Sequence, residues 1–181
     1  MEKPPVGSQA LRRGRVSEPG RAYFITKATH QRVSATLPPA QWMAAGPLVQ
    51  PGVPEIVLGS LHWLEDQALI RLIAYCLMPD HLHRLFQLGT TASLAAVMRR
   101  FASFTGLQVA RQGGLAPLWA DGFQDHALRA EESLANMVVY IEEDPVTAGL
   151  VARAAEWPWA SRARGDGAGE SGPGGGAASP D

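Results

Sequence analysis

A nearly continuous apolar run, ALIRLIAYCLM at 68–78, places the strongest constraint on the fold of this chain. It contains no helix breaker, and an apolar run of this kind is typical of a strand covered on both faces, so we expect a central strand. The Pro79-Asp80 pair that follows predicts a turn. Because His81–Leu88 continues as a second strand, the segment 68–88 is predicted to form a β-hairpin.

Two longer patterns with helical spacing lie on either side of this hairpin. Pro54 suits the first turn of a helix that continues through EIVLGSLHWLEDQ. Ser93 can cap a longer helix that runs to about Gln112. The residues predicted to be buried are Val57, Leu61 and Leu64 in the first helix, and Leu94, Val97, Met98, Phe101, Phe104 and Thr105 in the second.

Shorter elements complete the predicted order. The aromatic and β-branched segment Tyr23–Thr29 predicts a strand, and 117–129 predicts a loop followed by a short strand. A helix is expected over Glu131–Glu143, with an acidic first turn, and Pro145 should end or kink it. Five prolines predict broken structure over 37–54. Together these elements predict an α+β domain in which helices cover one face of an antiparallel sheet.

Composition confines the folded part to the middle of the chain. Residues 165–181 contain no apolar side chain larger than alanine and cannot form a core. We therefore predict a flexible arm at 1–20, a single domain at 21–163 and a disordered Gly/Pro-rich tail at 164–181. Because no apolar run is long enough to cross a bilayer and no apolar segment typical of a signal peptide follows the N-terminal arginines, we expect a cytoplasmic protein with no membrane partner.

The charges do not by themselves decide whether the chain binds nucleic acid. Its net charge is −1, whereas domains that grip nucleic acid are usually basic. Fourteen of its 16 cations are arginines, however, and the planar guanidinium suits phosphate well. We expect DNA contacts from Arg12 and Arg13 in the arm and from Arg99 and Arg100 on the long helix. A solvated helix face explains the second pair equally well.

The segment MPDHLHR at 78–84 carries the most informative chemistry. His81 and His83 are two residues apart, so a strand places both imidazoles on one face and Leu82 on the other. Histidine is the commonest metal ligand, which makes the pair a candidate clamp for a divalent ion. Such pairs also occur on solvated sheet edges. Cys76, the only cysteine, is expected to be a buried strand residue and excludes a multi-cysteine zinc site.

A second pair of candidate site residues lies towards the C-terminus. Tyr140 and Asp144 are separated by one helical turn and project from the same side of a helix. The phenol could act as a nucleophile beside a metal, or it could simply pack against the core with Asp144 near the helix end. Combined with His81 and His83, the pair provides the ligands and the hydroxyl that tyrosine-mediated strand cleavage requires.

Five segments spanning about 23–161 resemble one known family, and they occur in that family's order. MPDHLH resembles the His-hydrophobic-His motif of the HUH endonucleases. YIEEDPVTAGLV and LWADGFQDHALRAEESL resemble signatures of the REP-associated tyrosine transposases, a branch of the single-tyrosine HUH transposases. YFITKATHQR resembles the first strand of that branch, and WPWAS resembles its C-terminal motif.

The resemblance implies a ferredoxin-like α+β fold of the HUH-endonuclease type, with the histidine pair on a central strand. It implies that Tyr140 is the nucleophile, that His81 and His83 bind metal, and that Asp144 occupies the position of an asparagine that completes the metal shell. The implied activity is a Mg²⁺- or Mn²⁺-dependent endonuclease or transposase that cuts and rejoins single-stranded DNA near palindromic hairpins through a covalent phosphotyrosine. It leaves open whether the protein is a monomer or a homodimer.

Two departures from the family support a different class of function. Asp144 brings a negative charge where the branch has a neutral amide, and the chain is less basic than expected. The main alternative is therefore a hairpin-binding protein of the same fold that has lost the chemistry. A hydrolase that uses His81 and His83 for unrelated metal chemistry is a third candidate. Among the remaining residues, His126 is expected to form a structural hydrogen bond and Trp157 to lie in the core.

Deletion of residues 165–181 is expected to leave the melting temperature unchanged, because this segment has no side chain to bury. The measurement is a thermal melt, followed by circular dichroism, of the full chain and of the truncated chain. A loss of several degrees in the truncated chain would show that the tail docks on the domain.

Overall fold

Four strands form one antiparallel sheet, with helices between them in the chain. The computed structural model describes residues 17–33, 36–129 and 132–161. The strands are β1 (Ala22–Ala28), β2 (Ile70–Leu77), β3 (His81–Leu88) and β4 (Gln124–Ala127). The helices are α1 (Pro39–Ala45), α2 (Val53–Asp66), α3 (Leu94–Arg111) and α4 (Leu134–Thr147), and short 3₁₀ helices lie at Pro47–Val49 and Ala154–Glu156. The architecture is the predicted α+β class.

The sheet has the order β2-β3-β1-β4, which corrects the position expected for the apolar run at 68–78. The predicted hairpin forms as β2 and β3, but β2 lies at the edge of the sheet and β3 lies inside it, with the histidine pair. The backbone after α4 covers the β2 edge, where Leu77 N donates to Trp159 O and Ser161 N donates to Tyr75 O. The residues of β2 are apolar because this edge strand, like a central strand, is packed on both faces.

Helices pack on both faces of the sheet, so the expectation of a single covered face is wrong. Side chains alternate along β3, and Leu82 and Phe86 point into a core shared with α2 and α3. Leu85 points the other way, into a second core with Ile141 of α4. The predicted helical positions Val57, Leu61, Leu64, Leu94, Val97, Met98, Phe101 and Thr105 are all buried.

Phe104 is the exception among the predicted core positions, because 51% of this residue is exposed. The helical spacing of apolar residues on α3 includes Phe104. The residue nevertheless lies at the outer side of the contact between α2 and α3, in a groove with Trp63 and Leu107. Cys76 and Trp157 are buried, as predicted.

The last helix begins later and ends later than predicted. The side chain of Ser133 caps α4, which starts at Leu134, whereas Glu131 lies outside the described residues. The first turn is therefore LANM and carries no acidic residue. Pro145 does not end the helix, which continues to Thr147. A proline here costs only one backbone hydrogen bond, in the last turn, and its ring is buried.

The proline-rich segment 37–54 is more regular than predicted. Proline suits the first turn of a helix, and both α1 and the following 3₁₀ helix begin with one. The buried Trp42 anchors α1 to the core beneath α4.

The predicted arm and tail lie mostly outside the described residues. Within the arm, Ser17 Oγ accepts a hydrogen bond from Leu94 N, and Gly20 N donates to Leu88 O, so residues 17–20 contact the fold. The division of the chain at residues 20 and 164 stays a prediction. No helix in the described ranges has the length and apolar character needed to cross a membrane.

One buried arginine lies on the α3 side of the sheet. Arg84 is 1% exposed, its guanidinium lies 4.1 Å from the centre of the Phe101 ring, and Nη2 lies 2.8 Å from Met98 Sδ. Its Nε has no hydrogen-bond partner among the residues that the structure describes. Burial lowers the pKa of Arg84 to about 9. Desolvating a charge costs several kcal/mol, more than the roughly 2 kcal/mol that a buried cation–π contact returns.

Arg84→Met is therefore expected to raise the free energy of unfolding by about 1–3 kcal/mol, since it keeps most of the volume and removes the buried charge. Urea denaturation of both proteins provides the measurement. Arg84→Ala is the matched control, and the cavity it leaves should offset the gain. A methionine variant that is less stable than the wild type would show that the guanidinium has a stabilising partner.

Candidate metal centre

Three side chains that can bind a metal meet on the α4 face of the sheet. Alternation along β3 puts His81 and His83 on this face, with Leu82 buried on the other, as predicted. The two Nε2 atoms lie 3.1 Å apart. From α4, Asp144 places Oδ2 3.6 Å from His81 Nε2 and 3.4 Å from His83 Nε2. One ligand atom from each residue lies within 4.8 Å of the other two, a spacing that suits a shared cation.

The Asp144 carboxylate provides the clearest evidence that the cluster fits a cation. Its Oδ2 is buried and finds no hydrogen-bond donor in the described part of the chain. A buried carboxylate oxygen is costly unless a donor or a cation satisfies it. Two imidazoles and one carboxylate form a mixed nitrogen and oxygen set that accepts divalent ions and leaves coordination positions open. The residues present therefore fit a divalent cation.

Burial and charge act in opposite directions on the protonation of this cluster. Burial raises the pKa of Asp144, but the neighbouring imidazoles outweigh it and hold that pKa well below its usual range. Burial lowers the pKa of His81, whereas Asp144 and Asp80 raise it, and the net pKa lies above the ordinary histidine value. A proton on His81 therefore competes with a cation, and binding of a divalent ion must release it.

Tyr140 lies beside the cluster, one turn before Asp144 on α4. The centre of its ring is 6.4 Å from that of His83 and 6.0 Å from that of Phe24. The residue is 57% exposed, so it is not the packed core tyrosine of the alternative interpretation. An exposed phenol next to the three ligand-capable residues is open to a substrate that approaches them from solvent.

The predicted DNA-contacting arginines are not brought to this cluster. Arg99 and Arg100 are exposed on α3, which packs on the opposite face of the sheet from α4. Arg12 and Arg13 lie outside the described residues. Contacts between these four arginines and DNA stay a prediction. Because Arg99 and Arg100 lie on the face opposite the cluster, DNA that contacts both would have to extend around the domain.

The structure adds residues that the sequence reasoning missed. Asp80, treated there only as a turn residue, lies 2.8 Å through Oδ1 from His81 Nδ1 and accepts a hydrogen bond from Arg32. Thr26 Oγ1 lies 2.9 Å from His83 Nδ1. The position of Asp80 directly before a candidate ligand was a usable signal. Thr26 carried none, because its contact depends on the pairing of β1 with β3.

Three ring-bearing side chains outside the cluster, those of His126, Trp119 and Trp157, have structural hydrogen-bond partners. His126 pairs with Glu132 through contacts of 2.9 Å, which confirms the expected hydrogen bond. The indole of Trp119 is buried and donates to Thr105 Oγ1. Neither Trp119 nor the buried Trp157 offers an open ring face for stacking on a base.

Comparison with known proteins places this geometry in a family. A model of the family described as transposase, IS200-like, matches residues 50–144, just over half of the chain. The chain belongs to the IS200-like transposase family. A Haemophilus influenzae protein named as a REP-associated tyrosine transposase is 30% identical over 105 residues. The match covers 49% of this chain and 57% of that relative, so the chain spans little more than half of the relative's length.

A solved structure shares the fold of this chain. The chain is similar to a REP-associated tyrosine transposase bound to a REP hairpin, with a TM-score of 0.60 at 20% identity, over 81% of this chain and 79% of the other. At this identity the likeness shows the fold, and it confirms the predicted α+β architecture. The H. influenzae relative confirms the resemblance to the REP-associated branch. The family match includes Tyr140 and all three ligand-capable residues.

Asp144→Asn is expected to weaken Mn²⁺ binding by at least about tenfold, because it replaces a carboxylate with a neutral amide and a tenfold change corresponds to only about 1.4 kcal/mol. Electron paramagnetic resonance of Mn²⁺ titrated into the full chain measures the affinity. His81→Ala should lose more, since it removes a ligand without replacement, while Arg99→Ala on the opposite face serves as the unchanged control. Equal affinities for the wild type and Asp144→Asn would place Asp144 outside the metal shell.

Proposed function

We propose that this protein is a metal-dependent endonuclease and transposase that cuts and rejoins single-stranded DNA near palindromic hairpins through a covalent phosphotyrosine. One observation carries the proposal: the exposed Tyr140 lies on the same helix face as Asp144 and beside His83. A nucleophile and a cation site that share one open surface are what phosphoryl transfer from DNA to a side chain requires.

His81, His83 and Asp144 would hold Mg²⁺ or Mn²⁺. When bound, such an ion polarises a non-bridging phosphate oxygen and neutralises charge that develops there. The protein's own contribution is orientation, since β3 fixes the two imidazoles and α4 fixes the carboxylate. His83 is buried, and His81 and Asp144 are half-buried, which limits competition from water.

Tyr140 would act as the nucleophile. Its Oη attacks the scissile phosphorus and loses its proton to solvent, which the exposed ring contacts directly. A new bond joins phosphorus to Oη, and the bond from phosphorus to one flanking nucleoside oxygen breaks. That oxygen takes up a proton and leaves as a DNA hydroxyl. The phosphotyrosine keeps the energy of the phosphodiester, so a DNA hydroxyl can reverse the step without a nucleotide cofactor.

The solved relative supports the substrate class that we propose. That relative is bound to a REP hairpin, and its fold is the one described above. We propose single-stranded or hairpin DNA as the partner, with flanking contacts from Arg12, Arg13, Arg99 and Arg100. The protein would act in the cytoplasm as a monomer or a homodimer.

A binding protein without chemistry is the second candidate. The carboxylate of Asp144 faces both imidazoles and adds a negative charge where the scissile phosphate would lie. The net charge of −1 also gives little long-range attraction for DNA. Such a protein would bind hairpins and leave them uncut at every metal concentration.

Tyr140→Phe is expected to abolish cleavage, a loss of at least about 1,000-fold, because it removes the only atom that forms the covalent bond. Hairpin binding should change by less than about twofold, a difference of under 0.5 kcal/mol. The substrate is a labelled hairpin with single-stranded flanks, taken from inverted repeats beside the gene. Denaturing gels detect the covalent adduct, and fluorescence anisotropy measures binding.

Tyr75→Phe is the matched control, since it removes the same hydroxyl from the α2 face of the sheet. It should cut like the wild type. An adduct formed by Tyr140→Phe would assign the nucleophile to another residue. If the wild type binds the hairpin and cuts at no Mn²⁺ concentration, the binding protein becomes the better interpretation.

A further inference from the structure

Asp80 is a buried carboxylate directly beside the candidate metal centre. It is 1% exposed, in the turn between β2 and β3. Three groups approach its oxygens: His81 Nδ1 at 2.8 Å, Arg32 Nε at 3.0 Å and Val33 N at 3.1 Å. Arg32 is itself 59% exposed, so water can replace its contact with Asp80, whereas the hydrogen bond from Val33 N is buried. Asp80 therefore cannot turn away from His81 without leaving the Val33 N–H unpaired.

This contact determines which nitrogen of His81 can bind a cation. A carboxylate only accepts hydrogen bonds, so the Nδ1 atom that faces Asp80 must carry the ring hydrogen. In the neutral imidazole, the lone pair then lies on Nε2. That atom faces His83 and Asp144, where a cation would bind.

Thr26 has the same relation to His83. The pairing of β1 with β3 places Thr26 opposite His83, and Oγ1 lies 2.9 Å from Nδ1. When this oxygen accepts the hydrogen bond, the lone pair of His83 also lies on Nε2, towards Asp144. The ring of Phe24 stacks on that of His83 with 5.3 Å between centres and opposes rotation of the imidazole.

We infer that Asp80 and Thr26 are positioning residues for the metal centre, each holding one histidine with its Nε2 lone pair directed at Asp144. The inference rests on the proposed metal-binding function. Partners of this kind orient a ligand and increase its basicity, and their loss typically weakens metal binding by about 10- to 100-fold. The two residues are not equivalent, because Asp80 adds a negative charge and Thr26 adds none.

The first test reads the tautomers in the full chain at a fixed concentration of Mg²⁺, because without a cation two unprotonated Nε2 atoms would face each other at 3.1 Å. Long-range ¹H–¹⁵N spectra, recorded where both rings are neutral, should show both histidines protonated on Nδ1. Thr26→Val keeps the shape of the side chain and removes the acceptor, so His83 should shift towards the Nε2-protonated form. Thr26→Ser retains the hydroxyl and should restore the wild-type signals. A purely structural role for Thr26 would leave the tautomer of His83 unchanged in the valine variant.

The second test measures Mn²⁺ affinity by the same titration of the full chain. Asp80→Ala and Thr26→Val should each weaken binding by about 10- to 100-fold, and Thr26→Ser should recover it to within about threefold. Thermal melts identify variants that fail to fold, a particular concern for the buried Asp80. Glu132→Gln is the matched control, because it breaks a carboxylate–histidine pair outside the cluster and should bind Mn²⁺ like the wild type.

The outcomes separate this inference from the function on which it rests. A wild-type protein that binds no Mn²⁺ overturns the proposed metal centre. If the wild type binds Mn²⁺ and the folded Thr26→Val variant keeps both its affinity and its His83 tautomer, the inference for Thr26 is wrong. If a folded Asp80→Ala variant likewise keeps its affinity and its His81 tautomer, the inference for Asp80 is wrong.

Discussion

Antiparallel pairing of β1 with β3 fixes which face of the sheet each histidine occupies. The register sets Thr26 against His83. Alternate side chains of β3, beginning with Leu82, point to the core beneath α2 and α3. A slip of one residue would turn the histidines into that core and remove Leu82 and Phe86 from their contacts with α2 and α3, so the packing of this core disfavours it. The hydrophobic contacts on one face therefore hold the ligand-capable residues on the other, and the candidate centre depends on a core to which it contributes no side chain.

Helix α4 brings the remaining groups to the cluster through the same kind of constraint. Ile141 is fully buried against β2 and β3, and Pro145 is buried one turn later. Successive residues on a helix differ by about 100°, so anchoring these two positions directs Tyr140 and Asp144 to the adjacent side, above the histidines. The ligand-capable residues thus come from two separate elements, β3 and α4. Each element orients its polar side chains by burying the apolar residues next to them in sequence. This arrangement explains how an open site can keep a defined geometry on a domain of this size.

Local patterns predicted much of this structure, because they report contacts between residues close in sequence. The hairpin, the helices α2 and α3 and the buried Cys76 all follow from periodicity and capping. The errors concern contacts between distant segments. An apolar strand looks the same at a covered edge as in the centre of a sheet, and the exposure of Phe104 depends on where α2 ends its contact with α3. The same limit hid Thr26, whose partner is set by strand register, whereas the ligand pair His81 and His83 was visible from its spacing alone.

The charges around the cluster link its protonation to cation binding. Asp144 and Asp80 raise the pKa of His81, and the stability that the charged ring contributes is lost as the pH rises through that raised value. The lowered pKa of Asp144 has the opposite consequence, since its contribution is lost only as the pH falls below the ordinary carboxyl range. A divalent ion replaces the proton on the alkaline side of this window and satisfies the same carboxylate. The buried Asp80, paired with Arg32, keeps a negative charge beside His81 in both states, so the cluster can exchange a proton for a cation without rearranging its ligands.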